Sequence, residues 1–141
     1  MEKASIRVSK GIEVEVNDNG DTITMNVESA EFVNEFYALL DKFENLADKA
    51  RSDEYKAMDT REKLTVIVQG TKDVLASIDS IFGDSASRKI FGDTTPSLYI
   101  VADFFEKITP IIRKYAEQRR SDIMRRYNSS RMAGATRKMG R

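Results

Sequence analysis

With 141 residues, a third of them charged, the chain is long enough for one hydrophobic core and too short for two substantial ones. It contains neither cysteine nor histidine, which excludes disulfides, thiolate nucleophiles, Ser-His and Cys-His dyads and the ordinary zinc sites. Carboxylate-only catalysis and magnesium chemistry survive in principle, so composition points away from an enzyme and implies no catalytic residues, no cofactor and no metal.

No apolar run approaches the roughly 18 residues of a membrane span, and the start MEKASIRVSKG lacks the apolar stretch of a secretory signal. No membrane partner and a cytoplasmic location are therefore expected. The formal net charge of zero conceals a division. Residues 1–112 carry 21 acidic and 13 basic side chains, net −8, and residues 113–141 carry 10 basic and 2 acidic ones, net +8. A split of this kind bears on partners rather than on fold.

Residues 5–27 read as a β-hairpin. Ile12, Val14 and Val16 alternate with Glu13 and Glu15, and Ile23, Met25 and Val27 alternate with Thr24 and Asn26. Between them lies Asp18-Asn19-Gly20-Asp21, and Asn-Gly is the strongest short hairpin signal. With Asn19-Gly20 at the centre of the turn, Val16 faces Ile23, Val14 faces Met25 and Ile12 faces Val27. Ile6 and Val8 would extend the first strand past a bend at Gly11. One face is apolar, and a lone hairpin is marginal in water, so helices should cover it.

A first helix is predicted over about residues 30–49, with Ser29 as N-cap and Glu31 in the first turn. Its stripe is Phe32, Phe36, Leu39, Leu40, Phe43, Leu46 and Ala47. A polar link follows over residues 51–56. The second helix should run over about 60–82, with Asp59 and Glu62 as a capping box. Its apolar face is Leu64, Ile67, Val68, Val74, Leu75, Ile78, Ile81 and Phe82. Gly70 in its middle costs about 1 kcal/mol relative to alanine and points to close helix packing.

The stretch SIFGDSASRKIFGD, residues 80–93, contains Phe-Gly-Asp twice. A two-aspartate ion or phosphate loop would need more oxygen ligands than Asp84 and Asp93 supply. The pattern also reads as helix punctuation: Gly83 ends one helix, Asp84 or Ser85 caps a short turn, Phe91 anchors it, and Gly92 ends it. Asp93-Thr94-Thr95 then leads into a third helix from about Pro96 to 127, capped by Thr94 or Thr95. Leu98, Val101, Ala102, Phe105 and Ile108 form its stripe. Thr109-Pro110 must kink or restart this helix. The stripe continues in phase through Ile112, Tyr115, Arg119, Ile123 and Tyr127, which predicts a kink. Residues 1–127 thus form a single α+β domain, a hairpin on three main helices, followed by a basic flexible tail over 128–141.

The remaining chemical signal is cationic: Arg113, Lys114, Arg119, Arg120, Arg125, Arg126 and Arg131, interleaved with Ile123, Met124 and Tyr127. Three readings fit. The cations complement the dipole of a helix C-terminus; the apolar stripe docks on a partner protein or a second copy; or the arginines bind nucleic-acid phosphates, which the acidic body opposes. No glycine-rich phosphate loop is present. The partner-binding candidates are Ile112, Tyr115, Arg119, Arg120, Ile123, Arg125, Arg126 and Tyr127.

Taken together, the hairpin ending in Asn-Gly-Asp, Ile-Phe-Gly-Asp followed by Lys-Ile-Phe-Gly-Asp, the segment Phe104-Phe105-Glu106-Lys107-Ile108-Thr109-Pro110-Ile111-Ile112 and the basic end with Arg125-Arg126-Tyr127 resemble a family of small proteins. These come from tailed phages and prophages of Gram-positive bacteria and act as tail assembly chaperones. The resemblance spans most of the chain and is sharpest over residues 81–127. It implies a non-enzymatic protein in the cytoplasm of the bacterial host that binds the tape measure protein before the tail tube polymerises, and it offers no catalytic residues.

Overall fold

The computed structural model describes Glu2, Ala4 and residues 11–139. The architecture is α+β and mostly helical. A two-stranded antiparallel hairpin, β1 (Ile12–Glu15) and β2 (Thr22–Met25), precedes five helices: α1 (Ala30–Ala50), α2 (Asp53–Lys56), α3 (Thr60–Phe82), α4 (Ala86–Phe91) and α5 (Leu98–Met139). The helix starts follow from side-chain caps. Ser29 Oγ accepts from the N–H of Phe32 at 3.2 Å, Ser52 Oγ from that of Tyr55 at 3.2 Å, and Asp59 Oδ1 from that of Glu62 at 2.8 Å.

The hairpin register is two residues from the one predicted. Ile12 faces Met25 and Val14 faces Ile23, while Val16 donates its N–H to Asp21 O at 2.9 Å. The cause is Asn17. Its Oδ1 accepts from the N–H groups of Asn19 at 2.8 Å and Asp21 at 3.2 Å, and Gly20 donates to Asn17 O at 3.3 Å. This side-chain turn closes a loop over residues 17–20, with Gly20 at φ +83°. A slip of two leaves the same side chains on the same face, so Ile23 and Met25 are buried as expected. Val27 is buried beyond the end of β2 rather than paired with Ile12. The bend at Gly11 exists: its φ is +97°, and a Cβ there would lie 2.6 Å from Met25 O. Ile6 and Val8 lie outside the described residues.

α1 and α3 run antiparallel. Leu46 sits over Gly70, Lys42 Nζ donates to Ser77 Oγ at 2.9 Å, and the rings of Phe32 and Phe82 meet at 5.6 Å. A methyl group at position 70 would overlap the Leu46 side chain, which is the close packing that a mid-helix glycine serves. Phe32, Phe36, Leu39 and Phe43 of α1 are buried. Of the expected α3 face, Val74, Ile78 and Phe82 are buried, but Leu64 is 59 % exposed and Val68 also lies open. The elements that join α1 over α3 meet its C-terminal half, α4 through Asp79 and α5 through Phe82.

All seven phenylalanines form one contact network. Phe43 meets Phe105 at 5.0 Å, Phe105 meets Phe36 and Phe104, Phe82 meets Phe32, Phe36 and Phe104, and Phe91 meets Phe104 at 5.7 Å. Such pairs contribute about 0.5–1.5 kcal/mol each beyond area burial. The two Phe-Gly-Asp copies therefore share one purpose: Phe82 and Phe91 both pack on Phe104 at the start of α5.

The punctuation between them differs in detail from the expectation. Ser85 adopts φ +67° and makes no cap bond. Asp79 of α3 supplies the cap instead, its Oδ1 accepting the Ser87 N–H at 2.8 Å and its Oδ2 the Ser87 hydroxyl at 3.0 Å. At the start of α5 the cap is Ser97, whose Oγ accepts from the N–H of Ile100 at 3.4 Å, rather than Thr94 or Thr95. Pro96 is buried just before the helix, where its lack of an N–H costs nothing.

α5 does not restart at Thr109. Pro110 lies inside one helix, with Ile108 and Ile112 buried on either side of it. Nor does the helix end near 127: residues 128–139, expected as a tail, continue it to Met139. Arg, Met, Ala and Lys are strong helix formers, which the composition-based expectation of a tail underweighted. Forty-two residues make α5 about 63 Å long.

Candidate functional site: a groove between the first and last helices

Beyond Ile112 the last helix leaves the core and passes the N-terminal half of α1. Between them lies a groove of about 550 Å³. Its α1 wall is Ala30, Val33, Asn34 and Tyr37, with Val27 at one end, and its α5 wall includes Ala116 and Met124. Glu28, Glu117 and Arg113 contribute charge to the lining. The core stripe of α1 turns away from this wall, because Phe32, Phe36, Leu39 and Phe43 point into the phenylalanine network. Val33 and Tyr37, one helical turn apart on the flank, are left to face α5. The groove is a channel open to solvent with apolar walls interrupted by Asn34 and the charged residues, a shape that can receive side chains from a partner helix.

The electrostatic setting is one-sided. Residues 13–44, the hairpin and most of α1, carry nine acidic side chains and one lysine, net −8. The opposite wall belongs to the helix that carries net +7 from Arg113 to Met139. The groove therefore runs along the seam between the acidic and basic parts of the molecule.

The sequence-derived partner candidates fall into three groups. Ile112 has 0 % exposure and belongs to the core, so it is corrected from a surface contact to the last anchor of α5. Tyr115, Arg125 and Arg126 are exposed on α5, and Lys114 Nζ lies 5.4 Å from the centre of the Tyr115 ring. Arg119, Arg120, Ile123 and Tyr127 lie on the α5 backbone, and their side chains are outside the described residues. Sequence reasoning missed the α1 wall. Its signal was present in Val33 and Tyr37, an apolar pair at i, i+4 on the flank of the phenylalanine stripe.

Asp93 pairs with Arg88 at 3.0 Å on the surface, and among the described residues no group of three or more acidic side chains is placed to hold a metal ion. A second, smaller groove of about 340 Å³ lies where the hairpin meets α4 and α5, floored by Val14, Val16, Phe91, Phe104 and Ile111. Asn17 Nδ2 donates to Lys89 O at 3.0 Å and Lys89 Nζ to Thr22 O at 3.3 Å, tying the hairpin loop to α4 at its rim. Among the described residues no helix is long and apolar enough to cross a membrane.

The model of a family of unknown function, DUF6673, matches residues 19–140. No curated protein and no solved structure matches the chain.

Proposed function

We propose that this chain, which belongs to the DUF6673 family of unknown function, is a non-enzymatic assembly chaperone that sheathes a helical segment of a partner protein. The observation that carries the reading is the open apolar groove between α1 and the departing half of α5. Binding an amphipathic helix requires an apolar trough with charged edges, and the groove supplies Val33, Tyr37, Ala116 and Met124 within a rim of Glu28, Arg113 and Glu117.

The resemblance of residues 81–127 to tail assembly chaperones gives the partner a class: the tape measure protein of a tailed phage, acting in the cytoplasm of the bacterial host. Such a protein is long and helical and would aggregate if left bare. Several copies of this chain along it would cover its apolar stripes until the tail tube forms. The absence of histidine and cysteine from the whole sequence fits a task that needs no titrating or nucleophilic side chain.

Co-expression with the neighbouring tape measure gene is expected to yield a complex that co-purifies. Met124→Asp, at a half-exposed position in the groove wall, should weaken it without unfolding the chain, and deletion of residues 113–141 should abolish it. A complex that survives both changes undiminished overturns the assignment. Recovery of nucleic acid in place of protein, with affinity falling steeply as salt rises, would transfer the role to the arginines alone.

A further inference from the structure

The two edges of the hairpin differ. Ile12 faces Met25, Val14 faces Ile23, and the N–H of Val16 donates to Asp21 O directly opposite it. Hydrogen-bonded and unbonded pairs alternate along an antiparallel ladder. The backbone groups of Val14 and Val16 therefore turn towards β2, and those of Glu13 and Glu15 turn outward. On the far side of the sheet the outward groups belong to Thr22 and Thr24, and that edge meets α4, where Lys89 Nζ donates to Thr22 O at 3.3 Å. On the β1 side there is no third strand among the described residues, and Glu13 and Glu15 are exposed. Next to Glu15 and Val16 lies the groove of about 340 Å³ shared by the hairpin, α4 and α5. Val14, Val16, Phe91 and Ile111 in its lining are only half-buried, and Ile100 is 54 % exposed. Strand addition uses this pairing of features: the main chain of the incoming segment takes the edge, and every second side chain fills the groove.

We infer that β1 is a docking edge for an extended segment of a partner protein in which apolar residues alternate with lysine or arginine. Charge complementarity selects this occupant. Side chains alternate between the faces of a strand, so Glu13 and Glu15 lie on the face opposite Val14, away from the groove. The residues of an added strand that stand beside them share that outer face, where opposite charges attract across strands and like charges destabilise. The residues between them fall on the Val14 side, over the groove, and must be apolar. A four-residue edge with two like charges resists indiscriminate pairing, and the same charges favour a strand of opposite sign. A second copy of this edge is disfavoured, because β1 against β1 sets carboxylates beside carboxylates. The inference does not rest on the partner proposed for the groove between α1 and α5, since the two grooves are lined by different residues.

The test is NMR on the full chain, titrated with two synthetic peptides. One is Lys-Ile-Arg-Val-Lys-Ile-Arg; the other has glutamate in place of every cation. Before titration, the amides of Glu13 and Glu15 should exchange about tenfold or more faster than those of Val14 and Val16. The basic peptide, at about 1 mM or below, should slow exchange at Glu13 and Glu15 and shift the resonances of Ile100 and Ile111. The acidic peptide should bind about tenfold more weakly, since several cross-strand pairs change from attraction to repulsion. Ile100→Gln should weaken the basic peptide about threefold or more by removing apolar surface at the groove. Glu13→Lys with Glu15→Lys should reverse the preference between the peptides, with circular dichroism confirming that each variant is folded. The inference is overturned if Glu13 and Glu15 are already as protected as Val14 without peptide, or if the basic peptide fails to bind. Shifts confined to the groove between α1 and α5, affinity indifferent to Ile100→Gln, or a preference that survives the charge reversal overturn it equally.

Discussion

The two halves of α5 are one helix by backbone and two different objects by chemistry. From Leu98 to Ile112 it buries Val101, Phe104, Phe105, Ile108 and Ile112 against the phenylalanine network, and its charges sit outside, as in the Asp103–Lys107 pair at 3.0 Å. From Arg113 to Met139 none of its described side chains is buried, and its basic residues outnumber its acidic ones nine to two. The contrast teaches that helix formation and tertiary attachment are separable. Propensity extends the helix, whereas apolar spacing against a partner decides which part of it belongs to the fold.

Substitutions along α5 should therefore grade steeply from one end to the other. Phe104→Ala removes the ring on which Phe82, Phe91 and Phe105 all pack, and should cost about 3–5 kcal/mol in denaturant unfolding. Ile112→Ala, at the boundary, should cost about 2–4 kcal/mol, because its side chain is fully enclosed. Arg126→Ala, on the exposed distal half, should stay within about 0.5 kcal/mol of the unmodified chain while measurably weakening the complex with the proposed partner. Equal costs at positions 104 and 126 would erase the distinction.

Much of this division was legible in the sequence. The alternation in the hairpin, the phenylalanine spacing of α1 and the Asp59 cap specified their elements because each is a local pattern. The misreadings share one cause: the deciding partner is remote in sequence or belongs to a side chain with several options. Asn17, rather than Asn19-Gly20, sets the turn, because its side chain accepts two backbone N–H groups. Asp79, eight residues upstream, capped α4 in place of Asp84 or Ser85. Leu64 and Val68 satisfy the helical period, yet both lie exposed on the half of α3 away from α4 and Phe82. For the candidate site, the basic wall was visible as a run of arginines. The α1 wall was not, because Val33 and Tyr37 acquire meaning only once α5 passes beside them.

Amide hydrogen exchange along α5 in the full chain tests the central claim most directly, that the helix divides at Ile112 into a folding half and a docking half. In the chain without its proposed partner, amides of residues 101–112 should exchange only through global unfolding, and those of residues 125–139 should exchange orders of magnitude faster through local opening. Uniform protection across the whole helix would contradict the account, since it would mean that the distal half is held by the chain's own fold.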